Sequence, residues 1–169
     1  MSRRYISYGL SLILLVFSGC KVNYSFTGAS ISPSVKTISI AYFQNKATLV
    51  VPTLSRDFTE SLKDYFTSQT NLSLVDRNGD LRIEGAITGY AVSPVAIQGN
   101  EQAALNRLTI TVAVKFTNTT DEKQNYETNF SRYQDYSSSQ QLVAVQATLI
   151  EEINKQLVQD IFIKSVANW

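Results

Sequence analysis

The strongest constraint on the fold is an alternation of apolar and polar side chains between Leu108 and Thr117. The apolar positions are Leu108, Ile110, Val112, Val114 and Phe116, and the positions between them are Thr109, Thr111, Ala113, Lys115 and Thr117. Successive side chains of a strand point to opposite faces of a sheet, so this period predicts one face in a core and one face in water. Such a sheet needs a covering layer on its apolar face only.

Two segments carry apolar stripes with helical spacing. The first begins at Pro52, which suits the first turn of a helix, and its stripe is Leu54, Phe58, Leu62, Tyr65 and Phe66. The second follows Ser137–Gln141, where serines with a glutamine three residues later form a capping-box pattern, and it runs to about Ala167. Its stripe is Leu142, Val145, Leu149, Ile153, Leu157 and Ile161, widened by Ile150, Val158 and Phe162. We expect these two helices to cover the apolar face of the sheet.

Four further stretches have the β-branched and aromatic content of strands. They are Val35–Phe43, Leu72–Val75, Leu81–Thr88 and Tyr126–Tyr133. Residues 76–80 predict a tight turn, and Gly85 and Gly89 indicate a bulge or a close backbone approach. Ala91–Ala104 is expected to be a connecting loop. The element order predicts an α+β fold, with two helices packed on one face of a four- to five-stranded, mainly antiparallel sheet.

The other face of that sheet has no covering layer in this arrangement. Its candidate side chains are Arg82, Glu84, Thr109, Thr111 and Lys115. Antiparallel sheets often leave one face in water, so a wetted surface and a binding surface both remain open.

The chain has no histidine, and this excludes several catalytic classes. Ser-His-Asp and Cys-His catalysis both need an imidazole, and histidine is the commonest ligand of catalytic zinc. Glu151-Glu152 is predicted to be a solvated helix face rather than an acid–base pair, and the sequence has no glycine-rich phosphate loop. The sequence therefore offers no catalytic signature, and we expect no cofactor or metal.

The N-terminus has the layout of a bacterial secretory signal. A basic region with two arginines precedes the apolar run Ile6–Phe17, and Ser18-Gly19 stands before the only cysteine, Cys20. The apolar run is shorter than the roughly 20 residues that span a bilayer, which disfavours a membrane helix. The pattern predicts that residues 1–19 are cleaved and that Cys20 is acylated; a packed free thiol is the alternative.

Cleavage before Cys20 would leave a lipidated tether, residues 20–34, and a single α+β domain, residues 35–169. This mature part has 13 basic and 14 acidic residues. Nucleic-acid binding needs a concentrated basic face, so we expect no nucleic acid among the partners.

Several short stretches resemble one protein family in their order and spacing. They are Tyr24–Ile31, Val35–Ile40, Pro52–Ser55, Phe58–Asp64, Gly85–Tyr90, Asn106–Val112, Phe130–Tyr133 and Leu149–Asn154. The chain is similar in these stretches to the LptE family of lipopolysaccharide-assembly lipoproteins. The resemblance implies a two-helix, four-stranded α+β domain without catalytic activity.

The resemblance also implies partners and a location. LptE proteins sit as a plug inside LptD, the outer-membrane β-barrel that delivers lipopolysaccharide to the cell surface; they help that barrel to assemble and can bind lipopolysaccharide. The implied location is the cell outer membrane, with a lipid anchor and with the domain inside the barrel from the periplasmic side. Our candidate lipopolysaccharide contacts are Arg82, Arg107, Lys115 and Arg132, because lipid phosphates favour arginine and lysine donors.

A second class of protein stays open on the sequence. Phe43-Gln44-Asn45 ahead of a helix and Asp80-Leu81 at the start of a strand also resemble the periplasmic activators of penicillin-binding proteins and the curli-secretion-like lipoproteins. Those would be a regulator of peptidoglycan synthesis or a pore-forming oligomer. A co-purified partner distinguishes the two classes, since one predicts a large β-barrel and the other a penicillin-binding protein.

Overall fold

The computed structural model describes residues 31–49, 51–95 and 105–167. The strands are β1 (Thr37–Ile40), β2 (Gln44–Asn45), β3 (Ser73–Leu74), β4 (Leu81–Val95), β5 (Leu105–Asn118) and β6 (Tyr126–Ser137). The helices are α1 (Leu54–Gln69) and α2 (Leu142–Val166), and a 3₁₀ turn at Glu122–Gln124 precedes β6. Cys20, the cleavage site before it and most of the predicted tether lie outside the described residues.

The described strands form one sheet with the order β3-β1-β4-β5-β6. The two-residue strand β2 also pairs with β4, further along β4 than β1 does. Strands β4, β5 and β6 are an antiparallel meander. Strand β1 is parallel to both β3 and β4, because α1 crosses over the sheet before the chain returns beside β1. The predicted α+β class and mainly antiparallel sheet are confirmed, with parallel pairs at one edge.

The core lies between one face of this sheet and the two helices. The five alternating apolar residues of β5 are no more than 1% exposed, as their period predicts. Helix α1 buries Leu54, Phe58, Leu62 and Phe66, and α2 buries Leu149, Ile150, Ile153, Leu157, Val158, Ile161 and Phe162. The rings of Phe66 and Phe162 meet edge to face with centroids 5.1 Å apart. Both helices therefore cover the same face, and Glu151-Glu152 is exposed on the solvent side of α2.

Two glycines let β4 fit into this sheet. At Gly85 a Cβ atom would lie 2.0 Å from the carbonyl oxygen of Ala113 and 2.5 Å from the ring of Phe43. The ladder with β5 shifts register between Ile87 and Gly89. The predicted close approach and bulge are both confirmed. The extra residue at the bulge keeps both Ile87 before it and Tyr90 after it buried.

The turn before β4 is held to the start of β1 by one carboxylate. Asn78 takes a left-handed backbone conformation with φ 56°, as the predicted turn requires. Asp80 Oδ2 then accepts hydrogen bonds from the backbone N–H groups of Lys36 and Thr37 at 2.8 and 2.9 Å and from Thr37 Oγ1 at 2.9 Å. These donors lower the pKa of Asp80 because they stabilise its ionised form.

The predicted entry of α1 at Pro52 and the predicted capping box of α2 are both wrong. Helix α1 begins at Leu54, two residues after Pro52. Helix α2 begins at Leu142, and its N-cap residue Gln141 makes no side-chain capping bond. The capping box fails because Ser137 is the last residue of β6 and pairs with Leu105 in the ladder.

The predicted boundaries of the strands also need correction. The whole described part of the expected loop 91–104, residues 91–95, is strand, since Ala91 pairs with Thr109 and Val95 with Leu105. Residues 96–104 lie outside the described residues. The first predicted strand, 35–43, contains only β1, and residues 41–43 connect β1 to β2, which lies in the segment predicted as a connection. The side chain of Phe43 in this connection is buried.

Candidate functional site

The polar face of the sheet has the composition that the β5 alternation predicts. The register places Glu84 of β4 and Glu127 of β6 directly beside Lys115 of β5. All three side chains are exposed, and both described helices lie on the opposite face. Lys115 forms no ion pair with either carboxylate within the described chain. This ammonium group is therefore exposed and is not engaged by a counter-ion within the described chain.

Arg82 lies next to Lys115 on this face, because it pairs with Thr117, two residues further along β5. Diagonal neighbours of this kind have Cα atoms about 7–8 Å apart. Arg82 Nε donates a weak hydrogen bond of 3.3 Å to the carbonyl oxygen of Gly79, and the side chain is half-buried. The structure thus brings two of the four predicted cations together.

Arg82 also lines a cavity of about 550 Å³ at the edge of the sheet. Lys63 of α1 and Arg77 of the turn before β4 line the same cavity, together with the acidic residues Asp76 and Glu84. Sequence reasoning missed Lys63 and Arg77, because Lys63 follows the polar side of a helix and Arg77 lies in a turn. Only the crossover of α1 onto the β1 edge brings these distant positions to one cavity.

Arg107 is held at the other end of the sheet. Its Nε and Nη2 donate to Asp135 Oδ1 and Oδ2 at 2.8 and 2.9 Å, and its guanidinium lies 3.6 Å from the ring centroid of Tyr133. The hydrogen bonds to Asp135 raise the pKa of Arg107 and lower the pKa of Asp135. Arg107 is about 26 Å along β5 from Lys115, at roughly 3.3 Å per residue, so the two cannot contact one phosphate.

Arg132 lies on the helix-covered face rather than the polar face. Its Nε and Nη2 donate to the two carboxylate oxygens of Asp160 on α2, at 2.5 and 2.7 Å. This bidentate pair fastens the edge strand β6 to α2. Arg132 is therefore engaged with a counter-ion, and the four predicted cations do not form one cluster.

Two general properties of the described residues complete the site. None of the described helices is both long enough and apolar enough to cross a membrane. Within residues 31–49, 51–95 and 105–167, no group of three or more acidic or cysteine side chains is arranged to hold a metal ion.

The match to a family model decides the family. The model for LptE, described as lipopolysaccharide-assembly, matches residues 35–165 and so covers the whole sheet and both helices apart from the last residue of α2. The chain belongs to the LptE family. Members of this family are non-catalytic lipoproteins associated with the outer membrane and take part in lipopolysaccharide assembly.

Solved structures share the fold of this LptE protein at low sequence identity. A minor lipoprotein from Acinetobacter baumannii matches with a TM-score of 0.51 and 16% identity, covering 76% of this chain and 91% of its own. A hypothetical protein from Chlamydia trachomatis matches with a TM-score of 0.55 and 9% identity over 79% and 99% of the two chains. An uncharacterized lipoprotein B from Nitrosomonas europaea matches with a TM-score of 0.52 and 15% identity, covering 85% of this chain and 88% of its own. No curated protein matches this chain.

Proposed function

We propose that this protein plugs an LptD-type β-barrel in the outer membrane, helps that barrel to assemble, and binds lipopolysaccharide on its way to the cell surface. The observation that carries the proposal is the LptE family match over residues 35–165. It spans the described core rather than one element of it, so the whole fold is that of the family.

The distribution of polar residues supports a plug. The lumen of an outer-membrane barrel is lined with polar side chains, and a plug must present polar groups to it while its own core stays buried. This domain buries its apolar stripes between two helices and one sheet face, and it exposes Glu84, Lys115 and Glu127 on the other. Interfaces of this kind depend on many hydrogen bonds spread over a large area.

Lipopolysaccharide binding is assigned first to Arg82 and Lys115. They are neighbours on the polar face, and neither forms an ion pair within the described residues. Arg77 extends this basic region through the shared cavity. Lys63 also lines that cavity, but its ammonium group is paired with Glu60 at 3.0 Å. Arg107 and Arg132 are weaker candidates, because each already donates two hydrogen bonds to a carboxylate. A phosphate would have to displace that carboxylate.

Cys20 is assigned as the lipidation site, directly after Ser18-Gly19 and the apolar run. Acylation there would hold the domain at the inner leaflet of the outer membrane, from which it enters the barrel on the periplasmic side. The intact mass of the mature chain should correspond to an acylated protein that starts at Cys20.

Depletion of the protein in its own cells tests the proposal. We expect the amount of folded barrel and of surface lipopolysaccharide to fall together, and the wild-type gene to restore both. A Cys20→Ala gene should restore less, because its product is neither processed nor anchored. Normal folded barrel and normal surface lipopolysaccharide after depletion would contradict the proposal.

A further inference from the structure

The side-chain amide of Asn154 on α2 is buried without a partner. Asn154 is 2% exposed, and its Oδ1 accepts no hydrogen bond within the described chain. Native proteins satisfy the great majority of their buried polar groups, because an unpaired one destabilises the fold. This exception indicates a partner that the folded chain does not itself supply.

Asn154 lines a cavity of about 220 Å³ between the two helices. Asp57 and Ser61, one turn apart on α1, line the same cavity, and so does Glu151, one turn before Asn154 on α2. Ala147 also lines it and is exposed, so the cavity is reachable from solvent. A water molecule takes about 30 Å³ in the liquid, so there is room for a group of several heavy atoms.

Apart from the N–H groups of Asn154, the polar side chains of this cavity offer hydrogen-bond acceptors. Arg56 donates both of its bonds to Asp57 Oδ1, at 3.0 Å, and Oδ2 of that carboxylate accepts none in the described chain. The hydroxyl of Ser61 donates its proton to the carbonyl oxygen of Asp57 at 2.7 Å, which leaves its lone pairs. Glu151 is exposed and forms no ion pair with another described residue. A ligand for these groups must therefore carry several donors.

The charges around the cavity favour a cation. Asp57 and Glu151 are both carboxylates, and the pair of Asp57 with Arg56 is exposed, with side chains 41% and 68% accessible, so it is weak. The guanidinium group of an arginine has five N–H donors in a planar fork and no acceptor. Such a group can serve acceptors on two helices at once.

We propose that the cavity between α1 and α2 is a docking site for an arginine side chain of a partner protein. The guanidinium donates to Asn154 Oδ1 and to the carboxylates of Asp57 and Glu151, and the amide turns about its broad χ2 torsion to meet it. The cavity lies in the helix layer, whereas Arg82 and Lys115 lie on the opposite face of the sheet. The site is therefore separate from the proposed lipopolysaccharide contacts and does not rest on them.

An NMR titration of the full mature chain in detergent tests the site, with N-acetyl-arginine amide as the probe. We expect saturable shifts, in the millimolar range, of the backbone amides of Ser61 and Ala147 and of the side-chain amide of Asn154. N-acetyl-citrulline amide has nearly the same shape without the charge, and it should bind at least about fivefold more weakly.

Three variants locate the binding. Glu151→Gln should weaken it at least about threefold, because it removes a carboxylate that lines the cavity. Glu152→Gln is the matched control, since it removes the same charge from the next residue, which is also exposed but does not line the cavity. Asn154→Leu should weaken binding without lowering the melting temperature, because an apolar side chain of similar volume needs no partner.

Four results would overturn the proposal. They are the absence of saturable shifts with the arginine probe, equal binding of the two probes, equal weakening by the two glutamate variants, and a clearly lower melting temperature for Asn154→Leu. The last would show that ordered water inside the fold already satisfies the amide.

Discussion

At the scale of single residues, the tightest contact in the sheet surrounds Gly85. A methyl group there would overlap the backbone of the half-buried Ala113 and the buried ring of Phe43. At Gly89, which follows the bulge, the nearest atom to an added Cβ is the side chain of Thr111 at 3.1 Å. A side chain would therefore disturb the packing of the sheet more at Gly85 than at Gly89.

We expect Gly85→Ala to destabilise the domain by about 2 kcal/mol or more, because overpacking a rigid backbone contact forces β4 and β5 apart. Gly89→Ala is the control and should cost clearly less, since the Thr111 side chain can adjust. Urea denaturation of both variants measures the difference. Equal midpoints would show that β4 adapts at Gly85.

The carboxylate of Asp80 predicts a pH dependence. Its folded pKa lies below the ordinary value of an aspartate, chiefly because the backbone N–H of Lys36 donates a hydrogen bond to the ionised form. Its contribution to stability is therefore complete above the unfolded pKa and is lost as the pH falls through the lower folded pKa. Asp80→Asn should lower the melting temperature at neutral pH and reduce the further loss on acidification below about pH 4. Parallel pH profiles for the variant and the wild type would contradict this account.

At the scale of elements, the sequence predicts best where one periodic pattern decides the structure. The stripes of α1, α2 and β5 are long enough that any other register would expose a row of apolar residues. The boundaries failed where local signals competed with pairing. Pro94 suggests a loop, yet it lies opposite Asn106 in the ladder, and the serines near Ser137 suggest a cap, yet Ser137 ends β6.

The two faces of β5 give a matched pair of substitutions. Val112 is fully buried, whereas Thr111 is half-buried on the polar face and its hydroxyl lies 3.0 Å from Ser131 Oγ. Val112→Asp should lower the free energy of unfolding by several kcal/mol, because it buries an unpaired carboxylate. The free energy of unfolding of a protein is typically about 5–15 kcal/mol. Thr111→Asp should cost much less. A similar fall in melting temperature for both would mean that the faces are assigned wrongly.

The basic pair on the polar face predicts a binding effect. Removing both charges by Arg82→Ala and Lys115→Ala should weaken lipopolysaccharide binding by the domain several-fold, with little change in its melting temperature. Arg56→Ala with Lys155→Ala is the control, because these exposed cations lie on the helices and remove the same charge. Titration with labelled lipopolysaccharide compares them. Equal weakening in both double variants would indicate only a general charge effect.

At the scale of the whole molecule, the fold class was predictable and the connections of its edge were not. A two-residue strand such as β3 carries almost no periodic signal, and its parallel pairing with β1 depends on how α1 crosses the sheet. The site was predictable only in part for a similar reason. Arg107 and Arg132 find their carboxylates 28 residues away in sequence, and these partners appear only when β6 and α2 are in place.

The central claim is that this domain works as a barrel plug, and the most direct test is its stoichiometry with a partner. The lipidated protein is purified by affinity from its own outer membrane, and mass spectrometry quantifies what accompanies it. We predict an LptD-type barrel in near-equal amount to this protein. Recovery of a penicillin-binding protein without such a barrel would contradict the claim.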